Sequence, residues 1–286
     1  MAQLIINNNE FCAGQKFKDQ IIDILYTHLF DRGADLENIY DEMSREINVM
    51  GNNKKIIKLY ERDGIYIINK LNIQSIQRNN FVYAGHDLPV WRNDPNQAKI
   101  KIMVITQDPR RNEDEVNLNK KSASPHVISI STPFGLHSLT YRSHKNKGLV
   151  HYLFNDLQEE LMNYNPGDLS IYYTDIYKFR GVASDDLDTD NLDVYKNVLG
   201  CEIEAFNPNV ILLMGKEAQE AWKTIYNSNP NIIEASKTRI LHTPHPTNAR
   251  SITWQKNYPN KMKDYSSKEK RCMLLNDILK SLNLIP

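Results

Sequence analysis

The chain has 286 residues, 41% of them hydrophobic, with Lys+Arg and Asp+Glu balanced at 35 each. That is enough apolar material for a sizeable core and too much for a disordered chain; the length fits one large domain or one domain with an extension. The neutral balance, with a pI near 7.1, argues against a broadly basic nucleic-acid binder, so any DNA contact must come from local patches.

Residues 1–95 read as a mainly helical N-terminal extension, and residues 96–286 as an α/β domain. In "KFKDQIIDILYTHLFDR", Phe17, Ile21, Ile22, Leu25, Leu29 and Phe30 fall near one helical face. "NKKIIKLYERDGIYIINKLNIQSIQ" continues the helical pattern, with a turn at Asp63-Gly64. At about residue 98 the pattern changes. "AKIKIMVITQDP" is a buried strand ending at a polar turn. "GLVHYLFNDLQEELMNY" is an amphipathic helix, with Leu149, Leu153, Leu157 and Leu161 at helical spacing. "LSIYYTDI" is a second strand, "DVYKNVLGCEIEAF" a helix, and "PNVILLMG" a third strand running through Gly215 into the helix "KEAQEAWKTIY". "SKTRILHTPHPT" is a fourth strand, and "KEKRCMLLNDILKSLN" a closing helix. Strands alternating with helices predict a three-layer αβα fold around a mostly parallel four-stranded sheet. In such sheets ligands gather outside the carboxyl ends of the strands. Asp108, Asp175, Gly215 and His245 all fall at that edge.

Each of these has a plain reading beside a chemical one. Asp108 in "ITQDPRR" is a turn residue before proline, or a catalytic acid at a strand end. Phe134 in "STPFG" packs beneath a loop, or is held out as a stacking platform. Gly215 opens a helix whose free N–H groups suit a phosphate, although strand–Gly–helix is common. His242 and His245 in "LHTPHPT" form a His-x-x-His pair, but the prolines around His245 point to a rigid turn holding one ring rather than to a metal. The aspartates of "SDDLDTDNLD" lack calcium-loop spacing and read as a solvated acidic loop. Asp175 ends a buried strand, where an ionised carboxylate is costly unless hydrogen bonds reach it. It either caps a following helix or meets a ligand with protons to give.

The three cysteines, Cys12, Cys201 and Cys272, form no CxxC pair, which points to a reducing cytoplasm and away from a disulfide framework or zinc site. "MAQLIINNNEFCAGQ" lacks the regions of a secretory signal, and no apolar run approaches the roughly 18 residues of a membrane span.

Taken in order, "TQDPR", "PFG", "YYTDIYKFR" and "HTPHPT" make residues 98–282 resemble the uracil-DNA glycosylase superfamily. "FNPNVILLMGKEAQEAW" resembles its strand–Gly–helix segment. The match mixes two branches: "QDP" is similar to the classical uracil enzymes, and "DPRRNEDE" with "TDIYKFR" to the iron–sulfur branch. The four-cysteine set of that branch is incomplete here, and Phe179 stands where a cysteine is expected, so no cluster and no other cofactor or metal is expected. The resemblance implies hydrolysis of the N-glycosidic bond of a base flipped out of double-stranded DNA. It implies Asp108 as the group that positions water and stabilises the cationic sugar, and His245 as donor to the base O2. Gln107, Phe134 and Asp175 would line the base pocket. Gly215, Lys216 and Thr247 would hold flanking phosphates, and Arg250, Ile252 or Trp254 would fill the vacated stack. "YRSHKNK" and "QKNYPNKMK" are basic patches that the neutral total hides, or ordinary wet loops.

The main departure from the family is Asp175, where uracil readers carry an asparagine. An amide accepts from uracil N3–H and donates to O4, whereas an ionised carboxylate only accepts. It suits the exocyclic amino group of cytosine. A proton on Asp175 or on cytosine N3 would complete a bidentate pair. Ordinary cytosine cannot be the target, or the host genome would be attacked: either the pocket demands a modification, for example at C5, or the protein acts only on foreign DNA. A modified cytosine in phage DNA, such as glucosylated hydroxymethylcytosine, fits, with abasic sites as the antiviral outcome. The alternatives are a repair glycosylase for uracil or another deaminated base, a non-catalytic DNA-binding relative, and a metal-dependent phosphoesterase using Asp108, Asp175 and His245. No membrane and no obligate protein partner is indicated.

Overall fold

In the computed structural model, the described residues are 11–30, 32, 35–38, 40–41, 85–106, 152, 156–164, 169–180, 191–228, 238–244, 254, 258 and 265–286. They contain helix α1 (Gln15–His28), strands β1 (Gly85–His86), β2 (Val90–Arg92) and β3 (Ile100–Thr106), helix α2 (Leu157–Tyr164), strands β4 (Leu169–Asp175) and β5 (Phe179–Arg180), helix α3 (Leu192–Phe206), strand β6 (Val210–Met214), helix α4 (Lys216–Ser228), strand β7 (Arg239–Thr243) and helix α5 (Ser267–Ser281).

The main sheet has the order β2-β4-β3-β6-β7. β3 lies at its centre, parallel to β4 and β6, and β7 runs parallel to β6. Strands buried on both faces must be apolar throughout rather than alternating. β6 meets this with five buried residues, and β4 is buried along its whole length. The helices lie around the sheet in a three-layer α/β arrangement, as the alternating pattern predicts.

The sheet has five strands in place of the expected four. The additional member, β2, pairs antiparallel with β4, Val90 opposite Tyr173 and Arg92 opposite Ile171. A three-residue strand is too short to show a period, which is why the sequence does not announce it. β1 pairs with β5 in a separate two-stranded ribbon.

The described part of residues 11–41 packs into the same core as the sheet. Phe17 of α1 meets Trp91 edge-on at 5.0 Å, and Trp91 stacks on Tyr172 of β4 at 6.3 Å between ring centroids. Phe206 of α3 closes the group against Tyr172 at 5.1 Å. The Trp91 indole donates to the carbonyl of Ala13 at 2.7 Å, and the Tyr40 hydroxyl to that of Pro89 at 3.0 Å. Aromatic pairs of this geometry add roughly 0.5–1.5 kcal/mol each to their burial. This aromatic group defines one face of the sheet, that of α1 and α3. Alternation along β4 puts Tyr172 and Thr174 on that face and Asp175 on the other.

The chain also folds by local rules. Gly215 sits at φ 98° between β6 and α4, in the left-handed region that glycine enters freely. α5 begins with a capping box: Ser266 accepts from the Glu269 amide, and the Glu269 carboxylate accepts from the Ser266 amide at 2.8 Å. Ser266→Ala is expected to lower stability by about 1 kcal/mol, read as a shift in the urea midpoint at constant slope. An unchanged midpoint would show that α5 is held by packing alone.

Candidate active site

The parallel register brings Thr106, the last residue of β3, level with Asp175, the last residue of β4. The Thr106 hydroxyl donates to Asp175 Oδ1. The carbonyl of Thr106 accepts from the Ile176 amide at 3.0 Å, so the two strand ends are tied by side chain and backbone. Asp175 is fully buried. The chain beyond it bends over residues 176–178 and enters β5. No helix follows for Asp175 to cap, which removes the plainer of its two readings. A hydrogen bond from Thr106 is the structural role that remains beside contact with a ligand.

Directly behind Asp175 lies a charged cluster that sequence reasoning missed. Lys178 Nζ is 2.9 Å from Asp87 Oδ2 and 2.9 Å from both carboxylate oxygens of Glu202. All three side chains are sealed from solvent. Lys178 also donates to the Thr174 hydroxyl. That hydroxyl lies 2.8 Å from Asp87 Oδ2 and 3.0 Å from Glu202 Oε2, so its single proton serves one acid at a time. Asp87 Oδ2 further accepts from the backbone amide of Asp175 at 2.9 Å. The Asp87 amide donates to the Lys178 carbonyl at 2.7 Å, closing the ring.

One cation faces two carboxylates in a space sealed from bulk solvent. Burial raises Glu202 most, Lys178 opposes it, Asp87 adds to it, and the carboxyl is pushed up to about 7. Burial is also the largest influence on Lys178 and favours loss of its proton, but Asp87 and Glu202 together outweigh it and hold the ammonium above its ordinary range. Near neutral pH the cluster therefore stands close to the point where its net charge changes from zero to minus one. A signal for it exists in the sequence: Glu202 lies on the inward stripe of α3 with Val198, Leu199, Ile203 and Phe206. A lone acid on an apolar stripe needs a buried partner.

The other expected site residues separate into three groups. Gly215 and Lys216 stand at the β6–α4 junction, as expected. The Gly215 amide already donates to the Thr243 carbonyl at 2.8 Å, so a phosphate grip there would fall to the amides that follow it. The Lys216 ammonium is exposed and lies 3.3 Å from Glu220. Trp254 is corrected: it is fully buried, stacked on Tyr258 at 5.6 Å with the Lys270 ammonium over its ring, and a ring so enclosed cannot enter a DNA stack. Gln107, Asp108, Phe134, His245, Thr247, Arg250 and Ile252 lie outside the described residues, as do both basic patches apart from Tyr258.

His242, the described half of the His-x-x-His pair, is an exposed residue of the edge strand β7. Partial burial, then the Lys223 ammonium, hold its imidazole below the ordinary value. Cys12 is buried, and that burial pushes its thiol up to about 12. No group of three or more His, Cys, Asp or Glu able to hold a metal occurs among the described residues. No helix among them is long and apolar enough to cross a membrane.

No curated protein matches the chain. The family model of the uracil DNA glycosylase superfamily matches residues 94–266, which is more than half of the chain. The matched span runs from just before β3 to the start of α5 and contains both strand ends that meet at Thr106 and Asp175, and with them the four ordered motifs. The chain belongs to the uracil DNA glycosylase superfamily.

Proposed function

We propose that the protein is a monofunctional DNA glycosylase that excises a modified cytosine from phage DNA and leaves abasic sites as an antiviral defence. Members of its superfamily act on DNA and hydrolyse the bond between a base and its sugar. The observation that carries the finer reading is Asp175, an acid ending β4 level with Thr106, at the strand end where uracil readers carry an amide. Asp108 follows Thr106 by two residues, so the water-positioning acid and the base reader would come from the ends of neighbouring strands.

The reaction follows from these roles. The base leaves the stack and enters a pocket. The electron pair of the C1′–N bond departs with the base, and the water oxygen bonds to C1′. Asp108 takes the proton of that water and, before then, stabilises the positive sugar. His245 donates to the base O2, where negative charge develops. Phe134 stacks on the base and Gln107 borders it. Lys216 and Thr247 contact flanking phosphates, and Arg250 and Ile252 fill the gap in the stack. The anionic base takes up a proton from solvent and departs, balanced by the proton that Asp108 took from the water and then releases; these steps call on no metal or cofactor.

Asp175 selects the base by what it can accept. Its carboxylate would take the exocyclic N4–H of a cytosine, and would set lone pair against lone pair at the O4 of uracil. The purified protein, with EDTA present, is to be incubated with plain, uracil-containing, hydroxymethylcytosine-containing and glucosylated phage DNA, and abasic sites counted after alkali. Cleavage confined to the modified-cytosine DNAs is expected. Asp175→Asn should lose roughly 5- to 150-fold on that substrate, the cost of one mismatched buried polar contact, and gain uracil. Cleavage of uracil DNA alone by the unaltered protein would make it a repair enzyme. No cleavage of any DNA would move the reading to a binding protein.

A further inference from the structure

The Asp175 amide does not end on another strand's carbonyl. It ends on a side chain, Asp87 Oδ2, at 2.9 Å. β2 accompanies β4 only as far as Val90 opposite Tyr173. Beyond that point the ladder stops, and the Pro89 carbonyl accepts from the Tyr40 hydroxyl at 3.0 Å instead. The carboxylate of Asp87 takes the place of the missing ladder partner. The same oxygen accepts the Thr174 hydroxyl at 2.8 Å and the Lys178 ammonium at 2.9 Å. One oxygen thus fixes the backbone of residue 175, the side chain of residue 174 and the side chain of residue 178. Lys178 is in turn held from the far side by Glu202 of α3.

A buried ion cluster is a poor device for stability alone, since apolar residues of similar volume do as well or better. Its use lies in fixing geometry. Here the fixed atom is the amide of the residue whose carboxylate meets Thr106 on the opposite face of the sheet. We propose that Asp87, Lys178 and Glu202 are positioning residues that act through the backbone of Asp175 and set where its carboxylate stands at the end of β4. This inference rests on the reading of Asp175 as the base-selecting residue.

The cluster also has a gate. Glu202 faces the Lys178 ammonium, the Asp87 carboxylate and the Thr174 hydroxyl. It also faces the phenols of Tyr172 on β4 and Tyr40, and Cys201 on its own helix. Among these groups the exchangeable proton near neutral pH is that of Glu202. With the proton on, Asp87 holds Lys178 as its sole ionised partner. With it off, Glu202 competes for the ammonium, and the pull on Asp87 Oδ2 weakens.

The test uses the full chain and two readouts on the same variants. The first is the Asp175 amide resonance in nitrogen-15 spectra, followed through pH. Expected are a downfield amide that titrates with Glu202 in the unaltered protein, does not titrate in Glu202→Gln, and moves upfield in Asp87→Asn. The second is a double-mutant cycle on glycosylase kcat/KM. Asp87→Asn should cost about 10- to 100-fold alone, as a small misplacement of a site group does. In an Asp175→Ala background it should cost less than about two-fold, because residues acting through one another do not add. Equal costs in both backgrounds, or an Asp175 amide indifferent to Asp87→Asn and Glu202→Gln in folded protein, would overturn the positioning role. A protein without glycosylase activity would sink the reading of Asp175 as base selector, while the amide resonance would still decide whether the cluster sets the position of residue 175. Should Asp87→Asn not fold, the Glu202→Gln titration carries the same decision.

Discussion

Lys178→Met is expected to destabilise the protein by about 3 to 5 kcal/mol, the cost of stripping one partner from a buried ionic group. Methionine fills nearly the same space, so no large cavity accompanies the change. What is lost is the only cation among the described residues that pairs with the two sealed carboxylates, each 2.9 Å from Nζ. Asp87 and Glu202 then face each other across the Thr174 hydroxyl, which has one proton for two acceptors. Against a typical domain stability of about 5 to 15 kcal/mol, a loss of this size is a large share of the whole. Urea denaturation at about pH 8 measures it best: loss of Lys178 raises the Glu202 carboxyl further, so there the variant must either bear the repulsion or take up a proton on folding. Glu202→Gln added to Lys178→Met should return about 1 to 3 kcal/mol, since only one uncompensated acid remains and neighbours in one network do not add. A single-variant loss below about 1 kcal/mol would mean that the cluster is wetter than its geometry implies.

The cluster also marks where a sequence stops revealing its structure. β3, β4 and β6 can be read directly, because a short apolar run such as "VILLM", bounded by Pro208 and Gly215, suits a strand covered on both faces. β2 cannot be read this way. Its three residues carry no period, and its partner in β4 is distant along the chain. The acids are similar. Asp175 stands out because it ends an apolar strand, yet only the turn into β5 removes its role as a cap. Asp87, Lys178 and Glu202 come from three separated segments, and Asp87 and Lys178 each pass for a surface residue. Glu202 alone is anomalous, an acid between Leu199 and Ile203 on the inward stripe of its helix. Trp254 misleads in the opposite sense. Its place among polar loop residues suits a DNA wedge, but a ring of that size is held by Tyr258 and Lys270.

The pH dependence of stability should carry the mark of Glu202. Its carboxyl is pushed up to about 7 in the folded protein, from an ordinary value of 4.5, first by burial, with Lys178 opposing and Asp87 adding. Between these values the folded state holds a proton that the unfolded state has released, so stability falls as pH rises through the window. This is the reverse of a salt-bridged carboxylate with a depressed value, whose contribution is lost on acidification. The full displacement corresponds to about 3 kcal/mol as an upper bound. Lys178 is displaced in the other sense, held above its ordinary range, so its contribution is complete below about pH 10 and leaves this window untouched. Glu202→Gln isolates the effect, because glutamine has the shape of the protonated acid and never ionises. At about pH 5 the two proteins should differ little, and by about pH 8 the glutamine variant should have gained up to about 3 kcal/mol on the unaltered chain, most of it before pH 7. Taking the difference between the two cancels every other titrating group common to both. A difference that stays flat from pH 5 to pH 8 would place the Glu202 proton elsewhere, and with it the gate on the Asp175 amide.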